Sequence, residues 1–80
     1  GQVSLLLDAR GPGLAVASAC ATSGHALGES AAMIARGAAD VMIAGGAEST
    51  VTPLAIGAFA QMKALSTRND APAAASRPYT

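Results

Sequence analysis

The sequence predicts an α/β chain built on a strand–helix–strand unit, with a lone cysteine at the turn from the first strand into the helix. The run before Cys20, Leu14-Ala15-Val16-Ala17-Ser18-Ala19, is small and apolar, lacks proline and follows the breaker Gly11-Pro12-Gly13, as a short buried strand does. Past Cys20 the apolar period changes, with Leu27, Ala31 and Ile34 recurring at helical spacing. A second continuous apolar run, Val41-Met42-Ile43-Ala44, lies between turn signals and predicts a strand buried on both faces. Strand, helix and strand with short connections make a right-handed βαβ unit with parallel strands.

Taken in order, residues 1–10 hold Val3-Ser4-Leu5-Leu6-Leu7 ahead of Asp8 and Arg10, a pattern that suits a helix end or a strand equally. The first strand then delivers Cys20. Thr22 and Ser23 supply hydroxyls where the first turn of a helix needs side-chain acceptors, so the helix is expected over Thr22 to Arg36 with Gly37 as its C-cap. Gly24, Gly28 and Ala32 stand at i, i+4 and i+8, a stripe almost without side chains that predicts the close approach of another backbone. Glycine costs about 1 kcal/mol relative to alanine inside a helix, so tertiary packing has to stabilise this one. Gly45-Gly46 ends the second strand and permits close backbone approach. Thr52-Pro53 opens a third element, with the hydroxyl as N-cap, proline at the first helical position, and Ile56, Phe59, Ala60 and Lys63 at helical spacing. After Leu65, the cluster Ser66-Thr67-Arg68-Asn69-Asp70 and the prolines at 72 and 78 predict a loop.

The chemistry concentrates at Cys20. The first N–H groups of a helix lack partners within it and carry partial positive charge, which favours an anion such as a thiolate. The same groups can hold the oxygen of a tetrahedral intermediate, so nucleophile and half an oxyanion hole can come from one turn. Ala19, Ala21 and Gly24 leave room for a sharp bend and an approaching substrate, as small residues around a nucleophile elbow do. The opposing account is that a single cysteine in apolar surroundings is a small buried hydrophobe. His25 is the one histidine, and five residues along a helix place it well round from Cys20, so a Cys20–His25 dyad is not expected. One Cys and one His give no ligand set for a metal. Glu48 has no second carboxylate beside it, and Gly45-Gly46 lacks the rest of any phosphate-binding motif.

Composition bounds the rest. Eighty residues, 51% apolar with much of that alanine, with one Phe, one Tyr and no Trp, hold few large side chains to fill an independent core. The chain is therefore expected to be a piece of a larger packed structure rather than a complete domain. Zero formal net charge gives no footprint for nucleic acid or an anionic membrane surface. The single cysteine cannot form an internal disulfide, which fits a reducing cytoplasmic setting, and no span approaches transmembrane length.

The ordered motifs Gly11-Pro12, Ser18-Ala19-Cys20-Ala21-Thr22-Ser23-Gly24, Ala39-Asp40-Val41-Met42-Ile43-Ala44-Gly45-Gly46-Ala47-Glu48, Thr52-Pro53-Leu54, Ala64-Leu65-Ser66-Thr67-Arg68-Asn69-Asp70 and Ala75-Ser76-Arg77-Pro78 resemble the beta-ketoacyl-acyl carrier protein synthases, nearest the type II bacterial condensing enzymes. The resemblance covers nearly the whole chain. Ketosynthase subunits of aromatic polyketide systems share the layout, as do non-catalytic scaffold subunits of the same fold, which lack the cysteine. A cysteine hydrolase using the same elbow would have no reason to carry the other motifs.

The resemblance implies a thiolase-like fold, five-layered α-β-α-β-α in the full protein, with residues 1–80 inside the N-terminal half. It implies that Cys20 takes the acyl group from a carrier-protein thioester. Malonyl-carrier protein then loses CO₂, and the carbanion attacks the acyl-cysteine to give a 3-oxoacyl product two carbons longer. No cofactor is implied. Ile56 and Phe59 would line the acyl-chain pocket, Lys63 and Arg68 would contact the acidic carrier protein, and the strand before Cys20 would pair across a homodimer axis. The histidines and lysine that serve decarboxylation and condensation belong to the family's second half, so these residues alone are expected to be inactive.

Overall fold

The computed structural model describes residues 1–80 and contains three α-helices and two 3₁₀ turns. Helix α1 spans Gln2–Leu7, α2 Thr22–Ala35 and α3 Pro53–Gln61, with 3₁₀ turns at Ala19–Ala21 and Pro72–Ala74. The chain divides into two compact units, Gly1–Glu48 and Ser49–Thr80.

All three α-helices close by the same device. In α2, Ala38 N–H donates to Met33 O at 2.9 Å and Gly37 N–H to Ile34 O at 3.1 Å, with Gly37 at φ +80°. This is the Schellman pattern, and Gly37 takes its left-handed position as the sequence predicts. Helix α1 closes on Asp8 at φ 52°, and α3 on Lys63 at φ 60°. The α3 start also follows expectation: Pro53 opens the helix and Thr52 Oγ1 accepts from Ala55 N–H at 3.2 Å. Its regular turns end at Gln61, so Lys63 lies past the helix rather than on its face.

The βαβ expectation requires correction, because neither apolar run is a strand. Residues 12–18 and 41–50 carry no regular secondary structure, and no backbone hydrogen bond joins the two runs. The reason is physical. A helix closes its hydrogen bonds within its own segment, whereas a strand exists only through a ladder with a neighbour. Here the two runs stand apart across an open cleft of about 870 Å³ lined by Leu14, Ala15 and Val16 on one run and Val41 to Gly45 on the other. The second run still keeps the strand period. Met42 and Ala44 are half-buried, while Val41 and Ile43 are 80% and 65% exposed.

The covered face of α2 also differs from the expected one. Thr22, Ala26 and Ser30 are half-buried and Met33 is buried, at spacings of one helical turn, and Met33 is the only buried residue of the chain. Leu27 and Ile34 are exposed, and side-chain atoms added at Gly24 or Gly28 would meet nothing within 4 Å. The small-residue stripe thus faces open space among these residues. Gly46, by contrast, makes the close approach expected of the glycine pair: a Cβ there would lie 2.5 Å from Ser23 Oγ, whereas one at Gly45 would meet nothing.

Candidate active site around Cys20

Cys20 sits in the middle of the 3₁₀ turn Ala19–Ala21, which runs directly into α2, and it is exposed. The turn begins with Ala19 at φ 52°, a left-handed conformation that costs an L-residue roughly 1–2 kcal/mol. Hydrogen bonds hold it there. Ala21 N–H donates to Ser18 O at 3.1 Å. The Thr22 hydroxyl accepts from Ser18 N–H at 2.9 Å and donates to Ala19 O at 2.8 Å. At about 0.5–1.5 kcal/mol each, three such bonds offset the conformational cost. Strain at Ala19 and fixation by Thr22 are what a sharply turned nucleophile requires.

Thr22 therefore does a different job from the one its sequence position suggests. Its hydroxyl reaches back to brace the turn, and α2 starts from Ala21 with no side-chain cap. The helix start is left without a competing side-chain acceptor, which suits a site where an external oxygen is to be held. The Cys20 N–H lies ahead of the first helical donors, Ala21 N–H to Ser18 O and Thr22 N–H to Ala19 O.

His25 does not pair with Cys20. Its Nδ1 lies 2.6 Å from Ser18 Oγ, a contact seven residues back along the chain that residue spacing did not reveal. The Ser18 hydroxyl, carried by one small residue of an apolar run, is the partner that the sequence does not disclose. Ile56 and Phe59 fall three residues apart on α3 and so share a face, at 44% and 37% exposure. Lys63 and Arg68 are exposed in the segment after α3, with Arg68 N–H donating to Ser66 Oγ at 3.3 Å. No helix is long and apolar enough to cross a membrane.

An exposed cysteine on a turn into an uncapped helix, inside an ordered series of motifs, is the feature on which comparison with known families bears. Residues 1–80 match the beta-ketoacyl synthase N-terminal domain along their whole length, and the chain belongs to that family. With it comes the thiolase-like α/β architecture, to which these residues contribute helices and two unpaired runs. Among relatives, the chain is 53% identical over 79 residues to 3-oxoacyl-[acyl-carrier-protein] synthase 2 of Coxiella burnetii. It is 52% identical over 79 residues to the protein of that name in Vibrio cholerae, and 45% identical over 80 residues to the mitochondrial 3-oxoacyl-[acyl-carrier-protein] synthase of Arabidopsis thaliana. Each match covers 99% of this chain, but the chain spans only 19% of the two bacterial relatives and 17% of the plant one.

Proposed function

We propose that the protein carrying this segment is a 3-oxoacyl-[acyl-carrier-protein] synthase of fatty acid chain elongation, with Cys20 as its acyl acceptor. The observation that carries the reading is the exposed Cys20 on a braced turn into an uncapped helix. The Cys20 sulfur attacks the carbonyl of an acyl-carrier protein thioester, the carrier thiol leaves, and an acyl-Cys20 thioester remains. N–H groups at the α2 start hold the oxyanion while it exists. Malonyl-carrier protein then loses CO₂, and its carbanion attacks the acyl-Cys20 carbonyl. The 3-oxoacyl product stays on the carrier and the Cys20 thiol is released.

In this reading residues 1–80 belong to the N-terminal half of a ketosynthase domain, and the groups that serve decarboxylation come from elsewhere in the protein. Ile56 and Phe59, side by side and partly exposed on α3, line the acyl-chain pocket. Exposed Lys63 and Arg68 meet the acidic carrier protein. The full protein works in the cytoplasm as a homodimer, with the run before Cys20 pairing across the dimer axis. The test is the intact mass of the full-length protein after mixing with an acyl-carrier protein thioester, beside Cys20→Ala. An acyl increment on the parent and none on the variant is the expected result. No increment on a folded parent would refute the assignment and leave a scaffold subunit of the same fold.

A further inference from the structure

Cys20 is flanked by two residues, Ser18 and Thr22, which sit two positions to either side of it and are hydrogen-bonded to each other. The Thr22 hydroxyl ties the Ser18 N–H to α2, while Ser18 O is held within the turn by Ala21 N–H. The second tie is the contact between Ser18 Oγ and His25 Nδ1 at 2.6 Å. His25 stands three residues past Thr22 and thus neighbours it on the helix surface. Two adjacent side chains of α2 therefore grip one residue at two points, its N–H and its hydroxyl. This two-point attachment to α2 side chains, beside the Ala21 N–H bond to Ser18 O, fixes the peptide that sets Ala19 at φ 52°.

We infer that Ser18 and His25 are a positioning pair for Cys20, setting the direction in which its sulfur leaves the turn and acting on the reaction only through that geometry. The inference rests on Cys20 being the acyl acceptor. It assigns His25 no proton transfer with the substrate, since the Nδ1 that faces the turn is engaged by Ser18 Oγ. In the neutral ring that nitrogen either accepts from the Ser18 hydroxyl, with the proton on Nε2, or donates to it, and either arrangement holds the turn. Small displacements of a nucleophile reduce rate steeply, because near-attack geometry is lost while substrate binding is kept.

The experiment measures single-turnover acylation of the full-length protein by an acyl-carrier protein thioester as a function of thioester concentration, for Ser18→Ala, His25→Phe, the double variant and His25→Asn. Alkylation of Cys20 by iodoacetamide, which needs no oxyanion geometry, is followed in parallel. Expected are about tenfold losses in the limiting acylation rate for each of Ser18→Ala and His25→Phe, with half-saturation within twofold of the parent and alkylation within threefold. The double variant should be no slower than either single one, because the two residues act as one unit. His25→Asn, whose amide reaches the place of Nδ1, should recover at least half of the lost rate on the logarithmic scale. Parental rates in Ser18→Ala, which deletes one oxygen and leaves folding intact, would overturn the inference. Losses that multiply in the double variant, or a His25→Asn as slow as His25→Phe, would overturn it as well. Acylation that persists in Cys20→Ala would instead remove the enzymatic reading beneath it.

Discussion

Of all the glycines, only Gly46 stands where an added side chain would meet another part of the protein. A Cβ placed on Gly46 would stand 2.5 Å from Ser23 Oγ, 3.6 Å from Ser23 Cβ and 3.7 Å from Ser23 Cα. Only the first of these is a clash. Gly46→Ala therefore turns the Ser23 hydroxyl, the end of an exposed side chain, out of its place or moves the 41–46 run slightly away from α2, a cost of about 1 kcal/mol at the low end of overpacking. Replacing glycine also restricts the unfolded chain, which returns roughly 0.4–1 kcal/mol. The net expectation is a loss of at most about 0.5 kcal/mol in the full-length protein. In a Ser23→Ala background the offending oxygen is gone and the remaining distances are ordinary contacts, so the same change becomes neutral or mildly stabilising. The coupling between the two sites is then about 1 kcal/mol, readable as a double-mutant cycle in chemical denaturation. Gly45→Ala, with nothing within 4 Å, serves as the matched control and should cost nothing. An equal loss from Gly46→Ala with and without the Ser23 hydroxyl would show that the 41–46 run does not lie on the first turn of α2.

Two further outcomes follow from the same structure. Gly37→Ala, at φ +80° with open space around it, should destabilise the full-length protein by roughly 1–2 kcal/mol from backbone conformation alone, and Gly37→Asn by less, since Asn tolerates the left-handed region. A loss from Asn as large as from Ala would show that the end of α2 is held by something other than its φ. The isolated residues 1–80 should melt without a cooperative transition. They expose 6841 Å², where a compact protein of this 7.7 kDa mass exposes about 4,300 Å² and its unfolded chain about 11,200 Å². Roughly two-fifths of the surface is therefore buried, against about 60% in a small domain that folds alone. A sigmoidal calorimetric transition with a heat-capacity step near 1 kcal/mol/K would refute this.

What the sequence disclosed divides by the range of the interactions concerned. The start of α3 and the end of α2 depend on hydrogen bonds spanning three to five residues, from Ala55 N–H to Thr52 Oγ1 and from Ala38 N–H to Met33 O, and both were readable in Thr52-Pro53 and in Gly37. The turn at Cys20 was readable as a change of period. Its bracing was not, because Thr22 can cap forward or reach back, and only the structure selects the second. The Ser18–His25 contact was hidden for a similar reason. Counting positions along an ideal helix compares His25 with Cys20, but the 3₁₀ turn and the left-handed Ala19 bring the chain back on itself, so that Ser18, outside the helix, is what the imidazole meets.

The strands failed for a deeper reason, and it bears on function. The alternation of half-buried Met42 and Ala44 with exposed Val41 and Ile43 shows that the run is patterned for a sheet, yet pattern supplies only the faces of a strand and never its edges. Edges have to come from other chain, and none of these residues provides them. The turn at Cys20 needs no such help: every hydrogen bond that braces it is made between residues 18 and 25. The geometry around Cys20 is thus encoded locally, at the start of a helix that closes its own C-terminal end, while the pairing of the apolar runs depends on residues outside this segment. That separation makes the acylation step of the proposed reaction sensitive to Ser18, Thr22 and His25, and makes the stability of the site a property of the whole domain.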